Sequence, residues 1–144
     1  MAHDKADGLD DVAVGALMTT TRRVAVVGAS NKPDRASFGV MRFLLDHGYA
    51  VVPVNPGLAG QSIHGQTVVA TLAEAAPLEM VDIFRNPGDI PPVVDEAIRL
   101  GASSVWMQLG LVEQPSAERA RRAGLAVVMD RCPKIEWPRL RLFR

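Results

Sequence analysis

Three times along this chain a helical pattern stops at a glycine and a short apolar run follows at once: Gly48 before residues 50–54, Gly101 before residues 104–108, and Gly124 before residues 126–129. Glycine just past a helix supplies the left-handed residue that ends it. A helix that turns straight back into a strand is half of a βαβ unit, and such units build parallel sheets. Two further Val- and Ile-rich runs, 24–27 and 80–84, complete a set of five strands, with helices predicted at 38–47, 91–100 and 116–123. The strands are apolar on both faces rather than alternating, as expected when helices cover both sides of the sheet. Right-handed crossovers then predict an α/β, Rossmann-like, doubly wound parallel sheet of about five strands in the order 3-2-1-4-5. Between Pro56 and Pro77 the pattern weakens, and Ile63, Val68, Val69 and Leu72 predict only a short extended piece and one helical turn. Residues 1–20 read as an N-terminal extension, loose over its first ten residues with a short helix from Val12 to Met18, and residues 21–144 as the domain.

A length of 144 residues suits one domain with a real core. Lys plus Arg and Asp plus Glu number 16 each, so no overall field draws the chain to nucleic acid or to an anionic membrane, and any anion site must be local. Apolar runs are strand-length, short of the ~20 residues a bilayer requires. The N-terminus lacks a basic stretch leading into an apolar one, and the single cysteine, Cys132, allows no internal disulfide; both suit a cytoplasmic protein.

Ligands on doubly wound sheets sit at the carboxyl ends of the strands, near the point where the strand order reverses, predicted here between the first and fourth strands. Four segments fall there: Gly28-Ala-Ser-Asn-Lys32, Asn55-Pro-Gly57, Arg85-Asn-Pro-Gly88 and Leu109-Gly110. Gly28 follows a strand directly and a helix begins near Ser37, so backbone amides and a helix N-terminus are expected to face a phosphate. Lys32 and Arg35 add two cations beside them. The alternative is a merely solvated turn, with Ser37 only capping its helix. A dinucleotide fingerprint would need glycines where Ser30 and Pro33 stand, and an acidic residue for a ribose where Asn55 stands. Both departures count against a nicotinamide cofactor.

Taken together, Val26-Val-Gly-Ala-Ser-Asn-Lys-Pro-Asp-Arg35 with Ser37, Val54-Asn-Pro56, Phe84-Arg85, Trp106-Met-Gln-Leu-Gly110, and Asp130-Arg-Cys132 with Lys134-Ile-Glu136 resemble the stand-alone CoA-binding domain proteins of bacteria and archaea. The likeness runs over about residues 12–137. That family is similar to the CoA-binding domain of the succinyl-CoA synthetase α subunit and of ADP-forming acyl-CoA synthetases. The resemblance implies a coenzyme A or acyl-CoA ligand, with Gly28, Ala29, Ser30, Asn31, Lys32, Arg35 and Ser37 at the phosphates. It implies Val54, Asn55 and Pro56 along the nucleotide, and Phe84, Arg85 and Asn86 beside the adenine or pantetheine. Gly57 stands where the larger synthetases tend to carry a lysine, and Pro133 where an aliphatic residue is usual.

Several other residues invite a role. Trp106 and Gln108 share one face of a strand, with Met107 opposite. Trp106 reads as core before cofactor platform. Gln108, polar in a buried strand, requires a partner from backbone or ligand and is taken as a candidate binding residue. Asp82 inside an apolar strand requires a neighbouring amide or Arg. Cys132 is expected to pack just beyond the fifth strand, with a mixed disulfide to a thiol ligand as the less favoured reading. His3, His47 and His64 are scattered without ligand spacing, so no metal site is expected. Arg119, Arg121 and Arg122 read as the solvated face of a helix.

The function expected is binding of coenzyme A or an acyl-CoA without catalysis, by a monomer or homodimer with a possible protein partner. An accessory role to an acyl-CoA ligase or transferase is the alternative, since the chain is too short for the phosphohistidine and nucleotide-grasp domains of the larger relatives. An NAD(P)-dependent oxidoreductase would rest on fold alone.

Overall fold

The structure is a computed structural model that describes residues 5–144. In chain order its first elements are α1 (Asp11–Thr20), β1 (Arg23–Val27), α2 (Ala36–Asp46), β2 (Ala50–Val54), β3 (Ser62–Ile63) and β4 (Gln66–Thr67). There follow β5 (Met80–Ile83), α3 (Ile90–Arg99), β6 (Ser104–Met107), α4 (Gln114–Arg122), β7 (Ala126–Val128) and α5 (Pro133–Arg139). Five strands form one parallel sheet in the order β2-β1-β5-β6-β7, while β3 and β4 make a separate antiparallel hairpin. The predicted α/β doubly wound class holds.

The predicted strand order does not. An order of 3-2-1-4-5 would set the third sheet strand outside β2, yet that strand, β5, lies on the far side of β1, giving 2-1-3-4-5. The edge of β2 is already occupied: Val69 bridges to Val54 in parallel, donating its N–H to the Pro53 carbonyl at 3.0 Å and accepting from the Asn55 N–H at 2.9 Å. With that edge closed, β5 pairs with β1, and at their start the Glu79 carboxylate accepts from the N–H groups of Arg22 (2.7 Å) and Arg23 (3.2 Å). The reversal of strand order therefore falls between β1 and β5, both of which end beneath the loops predicted to bind.

Helices cover both faces. Ala25, Val27, Val81, Ile83, Val105, Met107 and Val127 meet Ile90, Val94 and Ala97 of α3 and Ala117 and Ala120 of α4. On the other face Val24, Val26, Met80, Trp106 and Val128 meet Val14 and Met18 of α1, Val40, Met41 and Leu44 of α2, and Trp137 of α5. Each large side chain so buried stabilises by roughly 1.5–3 kcal/mol before entropy is counted. Trp106 is core: it is fully buried and its indole N–H donates to the Arg131 carbonyl at 2.8 Å.

Residues 1–4, including His3, lie outside the described residues, as does part of the stretch expected to be loose. Of the remainder, Asp7 is buried against Arg131, and α1 extends the predicted short helix at both ends. Among the described residues no helix is long and apolar enough to cross a membrane.

Candidate ligand-binding site

A cavity of about 770 Å³ opens along the carboxyl edge of the sheet, lined from the turns that follow β1, β2, β5 and β6 and by Cys132 beyond β7. Its core is the turn between β1 and α2. Gly28 begins that turn with φ +87°, and a Cβ there would sit 2.1 Å from the Phe84 carbonyl oxygen, so only glycine lets the end of β5 approach this closely. The amides of Gly28 and Ala29 were expected to face a ligand phosphate. Instead both donate to the Val54 carbonyl, at 3.0 and 3.3 Å, because β1 continues its pairing with β2 one step past the strand.

The turn is then tied inward by hydroxyls. Ser37 Oγ accepts from the Ser30 N–H at 3.1 Å, and Ser30 Oγ accepts from the Lys32 N–H at 3.1 Å. Ser37 is thus the second residue of α2 and does not cap it; the cap position is Arg35, whose side chain makes no capping bond. What remains for an anion are the N–H groups of Asn31, Ala36 and Ser37, which have no acceptor among the described residues, near the positive end of α2. Lys32 and Arg35 stand exposed beside them, neither in an ion pair among the described residues.

Asn55 explains its own identity. Its Nδ2 donates to the Ala29 carbonyl at 2.8 Å while its Oδ1 accepts from the Gly57 N–H at 2.8 Å, clamping the turn after β2 to the turn after β1. A carboxylate has no N–H for the Ala29 carbonyl, so the acidic residue of a dinucleotide fold would break this clamp. Two residues predicted along the nucleotide are not in the cavity wall: Val54 is buried beneath it, holding the amides of Gly28 and Ala29, and Pro56 faces outward at the start of a 3-10 turn (Pro56–Leu58). Gly57 and Leu58 take that place. Phe84, Arg85 and Asn86 line the opposite side, where the Arg85 guanidinium lies 3.6 Å from Asp89. The cavity thus presents three cations, Lys32, Arg35 and Arg85, against one carboxylate, Asp89.

At the β6 end the wall becomes apolar, formed by Leu109, Leu111 and Cys132 with Gln108 among them. Gln108 and Asp82, each expected to require a partner, are partners of one another: one amide atom of Gln108 lies 2.9 and 3.3 Å from the two carboxyl oxygens of Asp82. Asp82 is wholly buried, and burial pushes its carboxyl well above the usual carboxylate range. The pairing follows from neighbouring strands, because Asp82 sits in register with Trp106 and Gln108 is two residues further along the same face. The predicted order 3-2-1-4-5 separates β5 from β6, so the sequence reading left each residue without its partner.

Other polar residues are used elsewhere. His64 Nε2 donates to the Phe38 carbonyl at 2.9 Å and His47 Nδ1 to the Phe43 carbonyl at 2.8 Å, so neither imidazole lines the cavity. Among the described residues no group of three or more His, Cys, Asp or Glu could hold a metal ion.

Fold and cavity define a class: a doubly wound α/β protein with a largely cationic cavity where the strand order reverses, the place at which such sheets hold their ligands. The chain belongs to the CoA binding domain family, whose pattern it matches over residues 22–138. It is 34% identical over 120 residues to the uncharacterized protein YneT of Bacillus subtilis, an alignment covering 83% of this chain and 87% of that one. Among solved structures it resembles a hypothetical protein from Pyrococcus horikoshii OT3 (36% identity, TM-score 0.89, 95% and 96% of the two chains). It also resembles a Thermus thermophilus protein (33% identity, TM-score 0.86, 92% and 99% of the two chains).

Proposed function

We propose that the protein binds coenzyme A, or an acyl-CoA, in this cavity and performs no chemistry on it. The observation that carries the reading is the gradient along the cavity: cations and free amides around the start of α2, and an apolar wall at Leu109, Leu111 and Cys132. Coenzyme A has the same polarity, with phosphates at its nucleotide end and a thiol or thioester at the tip of an extended arm. Across the sheet from β2 to β7 the strand spacing gives a span of roughly 19 Å, ample for that arm. Family membership supports the same ligand. Binding without turnover is supported by the engagement of Ser30 and Ser37 with the backbone.

Calorimetric titration with coenzyme A, acetyl-CoA, NAD and ADP tests the reading. Coenzyme A is expected to bind and NAD not to. Arg35→Ala should weaken binding by roughly 1.5–3 kcal/mol, the worth of a hydrogen bond to a charged group, and Arg85→Ala by less, since Asp89 already competes for that guanidinium. Binding of NAD in preference to coenzyme A would sink the proposal.

A further inference from the structure

Gln108 lies between a buried acid and the cavity, and the state of the acid decides what Gln108 shows to a ligand. Its amide has two edges. If Asp82 is ionised, it accepts from Nε2, and the carbonyl Oε1 is turned away. If Asp82 keeps its proton, its O–H donates to Oε1 across the same 2.9 Å, and the NH2 group is turned away. The edge turned away from Asp82 is the one available to a ligand, because Gln108 is part of the cavity wall.

The surroundings favour the protonated acid. Asp82 is 0% exposed. Across the sheet it is flanked on its own face by Val26 of β1 and Trp106 of β6, and the face is closed by the apolar cluster that includes Val40 and Met41 of α2. Among the described residues it has no ion-pair partner. Of the titratable groups in the cavity wall, Arg85 is paired with Asp89, Lys32 and Arg35 stand exposed at the start of α2, and Cys132 is neutral as a thiol; Arg131 next to it in the chain is committed to Asp7 and Glu136. An ionised carboxylate with one amide for company would carry a large desolvation cost, whereas a neutral acid needs only the one acceptor that Gln108 supplies.

We propose that Asp82 is a positioning residue that, as a neutral carboxylic acid, holds Gln108 with its NH2 group toward the cavity, so that this wall selects a thioester carbonyl over a free thiol. The inference rests on the coenzyme A reading above. A ligand laid with its phosphates at the start of α2 and its arm toward β6 and β7 brings the thioester to Gln108, Leu109, Leu111 and Cys132, where Gln108 is the polar side chain able to donate to it. The site is therefore built for acyl-CoA.

Two measurements test this and separate its failure from that of the coenzyme A reading. First, the carboxyl carbon of Asp82 is followed by 13C NMR in the ligand-free protein through the pH range where ordinary carboxylates titrate. It is expected to hold its protonated position at neutral pH; an ionised signal there overturns the proposal whatever the protein binds. Second, affinities are compared for acetyl-CoA and S-ethyl-CoA, a thioether of similar shape that lacks the carbonyl. Wild type is expected to prefer acetyl-CoA roughly tenfold, the factor that one good hydrogen bond supplies, and Gln108→Leu to bind both about equally. Equal binding by wild type, or a preference that survives Gln108→Leu, overturns the selection while leaving coenzyme A binding intact. If neither compound binds, the functional reading falls and the selection falls with it, and the NMR result alone then stands as a statement about Asp82.

Discussion

Asp7 and Asp82 are both buried carboxyl groups, and the protein treats them in opposite ways. Burial pushes the Asp7 carboxyl up, but the Arg131 guanidinium and the N–H groups of Leu9 and Met129 outweigh it and leave Asp7 below its ordinary value. Arg131 is nearly without solvent contact; its Nε and one terminal nitrogen hold Asp7 at 2.8 and 3.1 Å, while the other terminal nitrogen holds Glu136 at 2.8 Å. Asp82 has burial with nothing to oppose it, and is raised. The first group is compensated and ties the N-terminal segment, the end of β7 and α5 together. The second is left without a counter-charge one side chain away from the cavity, the kind of placement that marks a working group.

The largest expected effect lies on the compensated side. Arg131→Met leaves Asp7 buried without its cation and Glu136 with Arg139 alone, and should cost about 3–5 kcal/mol in denaturant unfolding at neutral pH. A loss below ~1 kcal/mol would mean that the network contributes little and that the contrast with Asp82 is one of geometry alone.

Next comes the pH dependence, where the two aspartates should part in sign. Asp7 has a lowered folded value, so its contribution is present above the ordinary carboxylate value near 3.8 and is lost as pH falls through the folded one; the stability gap between wild type and Asp7→Asn should close on acidification. Asp82 has a raised folded value, so its contribution is full below 3.8 and is lost as pH climbs through the folded one; wild type should gain on Asp82→Asn as pH falls. Parallel curves for the two variants would erase the distinction.

A smaller effect is expected at the partner of the uncompensated acid. Gln108→Leu removes the polar group facing Asp82 and should cost roughly 1–3 kcal/mol, the penalty for an unsatisfied buried group, readable as a shift in the urea midpoint. Smallest is Lys5→Ala. Lys5 reaches Asp130 at 3.3 Å from a solvent-exposed position, so its removal should change stability by under ~1 kcal/mol, leaving Asp7 as the anchor of the N-terminal segment. A larger loss would transfer that role to the surface pair.

The sheet strands and three of the helices were legible because each unit is punctuated locally, by Gly48, Gly101 or Gly124, and because the strands are apolar throughout. The strand order was not, because it depends on Val69 closing the edge of β2, a single parallel bridge set in a stretch with no periodicity. The β3–β4 hairpin turns at His64 and Gly65, both with positive φ, and histidine is a weak signal for such a turn. The last helix, α5, has no counterpart in the sequence reading: it is seven residues long and carries two prolines, Pro133 at its start, where the missing N–H costs nothing, and Pro138 in its final turn. At the cavity, residue types marked the right loops, and twelve of the fourteen candidate binding residues lie in its wall. The detailed roles were hidden. That the amides of Gly28 and Ala29 are spent on Val54, or that Asp7 meets Arg131 across 124 positions of chain, is fixed by packing and leaves no trace in spacing.

The most direct test of the account is amide chemical-shift mapping of the 15N-labelled protein on addition of coenzyme A. Saturable shifts are expected to concentrate at Asn31, Ala36 and Ser37, whose N–H groups have no acceptor among the described residues, and to extend to Arg85 and Gln108. No shifts, or shifts centred instead on the groove between α1 and the C-terminal residues around Gly15 and Leu142, would contradict it.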